Sequence, residues 1–88
     1  MQQSQREAAL AVYAVLEGAA LPAALGANVG RDAGPARAFV QELAYGTLRH
    51  HGTLDAIVRV LVDRPIPDRC IATLVEVALY QLEHTRQP

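Results

Sequence analysis

From Pro35 onward the apolar positions recur at the spacing of an α-helix. At 100° per residue Ala36, Phe39, Val40, Leu43, Thr47, Leu54, Ile57, Val58 and Leu61 fall within an arc of roughly 100°. The stripe keeps its phase through His50-His51-Gly52-Thr53, where a turn of arbitrary length would shift it. The pattern therefore predicts one helix over 35–62, about 27 residues and on the order of 40 Å long, against which the other elements pack. Asp32 or Gly34 is placed to cap it, with Pro35 in its first turn, and Pro65 and Pro67 stop it.

Shorter periodic stretches flank this rod. Ser4-Gln5-Arg6-Glu7 has the form of a capping box, and behind it Ala9, Val12, Tyr13 and Leu16 make the apolar face of a first helix ending at Gly18. Pro22 suits the first turn of a short helix over 20–25, and three glycines with Asn28 and Asp32 make 26–34 a surface loop. Asp68 is placed to cap a last helix running from Arg69 to about Thr85. On that helix Ile71, Leu74, Val75, Ala78, Leu79 and Leu82 form the main stripe, while Ala72, Thr73, Glu76 and Glu83 form a narrow edge suited to water. Cys70, Val77 and Tyr80 lie off the stripe, so the helix needs neighbours on more than one side. No repeat and no strand signal is present, and the pattern as a whole predicts an all-α domain.

Composition narrows the class. The 88 residues allow one small domain, and a hydrophobic share of 51% is enough to build a core. A lone cysteine, Cys70, forms no internal disulfide and suits a reducing compartment. No apolar run approaches the roughly 18 residues of a membrane span. The polar opening MQQSQRE does not resemble a signal peptide. A soluble, cytoplasmic protein is expected, with neither a membrane nor DNA as partner. The formal net charge is −1, and every basic residue is an arginine. Arginine suits bidentate contacts to phosphate, but an alanine- and arginine-favouring codon bias produces the same inventory. Any case for nucleic acid therefore rests on where the arginines sit.

The segments QELAYGTLR, LDAIVRVLVDRPI and ALYQLEHTRQP, in that order, resemble the NusB-like domain that opens the RsmB/Sun family of 16S ribosomal RNA cytosine-C5 methyltransferases. Gln41, Glu42, Leu43, Tyr45, Gly46, Leu48 and Arg49 fill the first motif, and Leu54, Asp55, Arg64 and Pro65 the second. Leu79, Tyr80, Gln81, Leu82, Thr85, Arg86 and Pro88 fill the third, with Ala78 where glycine is usual and Gln87 where isoleucine is usual. The resemblance spans nearly the whole chain, 1–88. It implies a NusB-type helical bundle, cut short at its C-terminus, and an RNA-binding accessory role beside a methyltransferase domain absent from this chain. It also implies ribosomal RNA and that downstream domain as partners, with S-adenosylmethionine bound there and not here. NusB relatives in transcription antitermination hold RNA through the same fold, often with an N-terminal arginine cluster of which only Arg6 is present here. A purely structural docking role is the remaining alternative, and the near-neutral charge favours it.

The chain on its own is not expected to be a catalyst. It carries neither the Pro-Cys context nor the glycine-rich strand-to-helix turn of the family's catalytic domain, and Cys70 is expected to be packed and inert. His50 and His51 point about 100° apart on a helix and do not share a metal. Both are expected toward the core as hydrogen-bonded histidines, and His84 has no partner at ligand spacing. Gly46, inside a helix, marks the close approach of another helix or a hinge. Tyr45 and Arg49, one turn apart and near Gln41 and Arg37, form a candidate surface on which an aromatic ring stacks a base while guanidinium groups hold phosphate. The alternative packs Tyr45 under another helix and pairs Arg49 with Glu42 or Asp63. Arg31, Arg64 and Arg86 lie on loops or ends, where RNA contact is geometrically easy and solvated charge explains them equally well; Arg64 and Arg86, with Arg6 at the N-terminus, join the candidate RNA-binding set. Finally, Val77, Leu79 and Tyr80 are expected to leave an apolar patch on the last helix through which copies of the chain self-associate.

Overall fold

In the computed structural model five helices follow one another, with no strand among the described residues, which are 3–28, 34–62, 64 and 66–84. They are α1 (Gln3–Leu16), α2 (Leu21–Asn28), α3 (Pro35–Arg49), α4 (His51–Leu61) and α5 (Arg69–His84). α1 is central, packing against α2, α3 and α5, while α5 also meets α3 and α4. The core is built from Ala8, Ala9, Ala11 and Val12 of α1, Ala24 and Leu25 of α2, Val40, Leu43 and Ala44 of α3, Leu54 of α4, and Val77 and Tyr80 of α5. The small side chains of α1 let α3 and α5 approach it from two sides.

The punctuation of the helices follows from particular residues. Gly18 takes φ 113° just beyond α1, a left-handed conformation that suits glycine and stops the helix. Gly34, at φ 95°, precedes α3 as its N-cap and Pro35 follows at the first helical position. The Asp68 carboxylate accepts from the backbone N–H of Cys70 at 2.9 Å and of Ile71 at 3.3 Å, as an N-cap should. Two boundaries differ from the sequence pattern. α1 begins at Gln3, so Ser4 lies inside the first turn, and Glu7 accepts a bond from the Gln3 amide. α2 runs on to Asn28, so the surface loop is shorter than 26–34, and Asp32 lies outside the described residues.

The single helix expected over 35–62 is two helices. His50 adopts φ −104° and ψ 14°, in the bridge region and not the helical one, so the axis changes direction there. Hydrogen bonding continues across the break: the His50 N–H reaches the Gly46 carbonyl at 3.1 Å, and the Leu54 N–H reaches the His50 carbonyl at 2.8 Å. One residue turning without insertion or deletion leaves the count of residues, and hence the apparent phase, unchanged. His-His-Gly-Thr is a run of weak helix formers, so little resists the bend. The bend seats both segments on α5, α3 through Gly46 and α4 through His51. As a result the far end of the stripe does not stay inside: Leu54 and Val58 are buried, whereas Ile57 and Leu61 are exposed, as Ala36 is at the start.

α5 also presents a different face to the core from the one its hydropathy suggests. Thr73 and Glu76, expected in water, are 1% and 3% exposed, while Ile71 and Leu82 of the apolar stripe are 52% and 66% exposed. Each buried polar group has a partner that hydropathy does not register. The Thr73 hydroxyl donates to the Arg69 carbonyl at 2.8 Å, and Glu76 is 2.7 Å from the His51 ring. With that face inward, Val77 and Tyr80 are buried and Leu79 is half-buried. The apolar patch expected at these three residues is therefore not on the surface; the large apolar side chains that α5 exposes are Ile71 and Leu82.

Candidate nucleic-acid interface

α3 buries Val40, Leu43, Ala44, Gly46 and Thr47, which leaves the row at 37, 41, 45 and 49 on its outer side. Arg37 and Gln41 are half-buried, Arg49 is exposed, and Tyr45 is 54% exposed. Tyr45 thus does not pack beneath a neighbouring helix, and among the described residues Arg49 forms no ion pair with Glu42. Asp63, the other partner considered for Arg49, lies outside the described residues. The break at His50 falls after all four residues, so their one-turn spacing is intact. The row presents two guanidinium groups, an amide and a phenol ring along three turns of helix, a set able to hold phosphate and stack a base.

The other sequence candidates are not part of this row. Arg6 lies on α1 beside a shallow apolar groove formed with Leu10, Cys70, Ile71 and Leu74. Arg64 is exposed in the connector between α4 and α5, and Arg86 lies outside the described residues. Cys70 is a free, half-buried thiol in the first turn of α5.

Three rings that the sequence did not bring together meet at the end of α3. His84, in the last turn of α5, lies 4.6 Å from Tyr80 and 4.7 Å from His50, with interplanar angles of 23° and 14°. His50 and Tyr80 are 6.0 Å apart at 25°. Gly46 makes the arrangement possible, because a Cβ at that position would overlap the Tyr80 ring. The close approach expected of Gly46 is thus real, and the partner is an aromatic side chain of α5. The available sequence signal was the pair of one-turn spacings, Gly46 to His50 and Tyr80 to His84.

A polar cleft of about 360 Å³ lies between the end of α1, α4 and α5, lined among others by His51, Asp55, Arg59, Arg69 and Glu76. Its charges are paired: His51 with Glu76, Arg59 with Asp55 at 3.0 Å, and more loosely Arg69 with Glu17 at 3.8 Å. Burial pushes the Glu76 carboxyl above its ordinary range; the His51 hydrogen bond and charge oppose this, and Asp55 adds to it. On α1, the Glu17 charge foremost holds the Tyr13 phenol above its usual value. The cleft is an ionic seam tying α4 to α5. His51 is thus the hydrogen-bonded histidine expected, whereas His50 is held by ring stacking. No three His, Cys, Asp or Glu side chains among the described residues are placed to share a metal ion.

Five helices with these caps and this α3–α5 contact define an all-helical domain with an exposed arginine–tyrosine row. Residues 2–88 match the NusB family, and the chain belongs to that family. Among curated proteins it is 40% identical over 88 residues to the ribosomal RNA small subunit methyltransferase B of Pseudomonas putida, covering 92% of this chain and 19% of that protein. It is 43% identical over 54 residues to the protein of that name from Proteus mirabilis, covering 59% of this chain and 13% of the relative. A probable methyltransferase B from Synechocystis is 42% identical over 57 residues, covering 60% and 12%. The chain therefore spans less than a fifth of the length of these relatives. No solved structure matches it.

Proposed function

We propose that this domain is an RNA-binding module of a small-subunit ribosomal RNA cytosine-C5 methyltransferase, holding RNA for a catalytic domain that lies outside these residues. The observation that carries the reading is the outer row Arg37, Gln41, Tyr45 and Arg49 on α3, with Tyr45 and Arg49 exposed and Arg37 and Gln41 half-buried, on a helix whose opposite side is locked into the core. The names of the relatives supply the substrate class and the reaction. S-adenosylmethionine would supply the methyl group, but the described residues hold no strand-to-glycine-turn-to-helix unit to bind it. The role assigned here is positional: RNA held on α3 meets the catalytic domain already oriented. No described helix is long and apolar enough to cross a membrane, and a ribosomal RNA substrate supports a cytoplasmic location.

Binding of fluorescein-labelled small-subunit ribosomal RNA fragments across a salt series tests the proposal. The affinity falls as salt rises, and Arg49→Ala both weakens binding and makes the slope shallower by about one. Undetectable binding at low salt would instead assign the domain to docking against its catalytic neighbour.

A further inference from the structure

We propose that the outer face of the His84 imidazole is a stacking platform for an unpaired nucleobase, so that the module takes single-stranded RNA. This rests on the RNA-binding reading of α3 and adds a contact of a different kind.

The geometry of the three rings leaves one imidazole face free. Were Tyr80 and His50 on opposite faces of His84, their centroids would be about 7 Å apart or more, twice a van der Waals separation. They are 6.0 Å apart, each within 4.7 Å of His84 and near-parallel to it, so both lie against the same face. The other face points away from them, on a residue that is exposed. Tyr80 is buried beneath and cannot swing out without vacating the notch over Gly46, so the platform has a rigid base. Planar rings fixed in this way offer a π-face to any base at little ordering cost.

Position and charge point to the same ligand. His50 directly follows Arg49, the last residue of the α3 row, so a strand lying along Tyr45 and Arg49 arrives at His84 next. The chain has eight arginines offset by nine acidic residues, a formal net charge of −1, so phosphate contacts give it little long-range attraction. Ring stacking supplies affinity that does not depend on net charge. A base inside a duplex has its faces covered by its neighbours, so only an unpaired strand can use the platform.

The chain contains no tryptophan, so His84→Trp installs a single stacking reporter. The probe is a fluorescein-labelled single-stranded oligoribonucleotide of about a dozen mixed nucleotides, within the range one such site covers, and the same strand annealed to its complement. The expected results are binding of the single strand in preference to the duplex and an affinity at least about fivefold weaker in His84→Ala. In His84→Trp, tryptophan quenching saturates at the same concentration as the anisotropy signal. Binding unchanged in His84→Ala, equal binding of duplex, or an unquenched tryptophan overturns the platform while leaving the α3 reading standing. No binding of either probe by the unsubstituted chain overturns both.

Discussion

Gly46 on α3 and Tyr80 on α5 share a space that admits only one of two groups: the phenol ring, or a methyl group on residue 46. The ring cannot yield cheaply, because it is buried and stacked against His84 and His50. Gly46→Ala would gain about 1 kcal/mol of helix propensity but lose about 1–3 kcal/mol to overpacking, a net destabilisation. In a Tyr80→Ala background the clash is gone and the propensity gain remains, so Gly46→Ala becomes neutral or stabilising. Urea unfolding of the four proteins checks the sign reversal.

Thr47 is fully buried on α3, and its hydroxyl has no hydrogen-bond partner among the described residues. Valine has the same shape without the unsatisfied oxygen. Thr47→Val is therefore expected to stabilise the fold by about 1 kcal/mol, or about 4–8 °C in a thermal melt. A loss of stability would mean that the hydroxyl is bonded in solution.

Asp68 holds the first turn of α5 by accepting two backbone N–H groups. Asp68→Ala removes both bonds and should cost about 1 kcal/mol, whereas Asp68→Asn retains the acceptor and should cost less. Chemical denaturation of the pair separates capping from charge.

Glu76 gives a pH dependence whose sign can be worked out. Burial raises its carboxyl in the folded state, so within the window between the unfolded and folded values the folded chain binds more protons. Stability therefore falls as pH rises through that window. Glu76→Gln cannot ionise and keeps an acceptor for His51. The stability of the wild type relative to this variant should decline as pH is raised from about 4, then level off. Urea unfolding over a pH series checks this; a difference that is flat, or that moves toward the wild type, contradicts it.

Periodicity read the helices well where local chemistry and packing agree. Gly18, Gly34 with Pro35, and Asp68 end or begin helices as their residue types suggest. The stripes share Ala9 and Val12 of α1 and Val40, Leu43 and Thr47 of α3 with the buried faces, although α1 also turns Ala8 and Ala11 inward and leaves Tyr13 and Leu16 half-buried. It failed where tertiary partners decide. The turn at His50 adds no residue, so the stripe hides it, and Thr73 and Glu76 look solvated until the Arg69 carbonyl and His51 appear beside them. The α3 row was legible because all four residues sit on one helix. The ring cluster was not, since His50 and Tyr80 are 30 positions apart in the chain and only the packing of α3 on α5 brings them together.

The most direct test of the α3 interface is to locate RNA on the protein. Ultraviolet cross-linking of the full chain to small-subunit ribosomal RNA, followed by trypsin and mass spectrometry, reads this out. Cleavage after Arg37 and Arg49 releases residues 38–49 as one peptide containing Gln41 and Tyr45. The α3 interface places cross-linked nucleotide on that peptide, at Tyr45; in Arg49→Ala, where the tryptic peptide runs on to Arg59, the adduct falls in step with affinity. Cross-links confined to α1, α2 or α4, with residues 38–49 recovered unmodified, would contradict it.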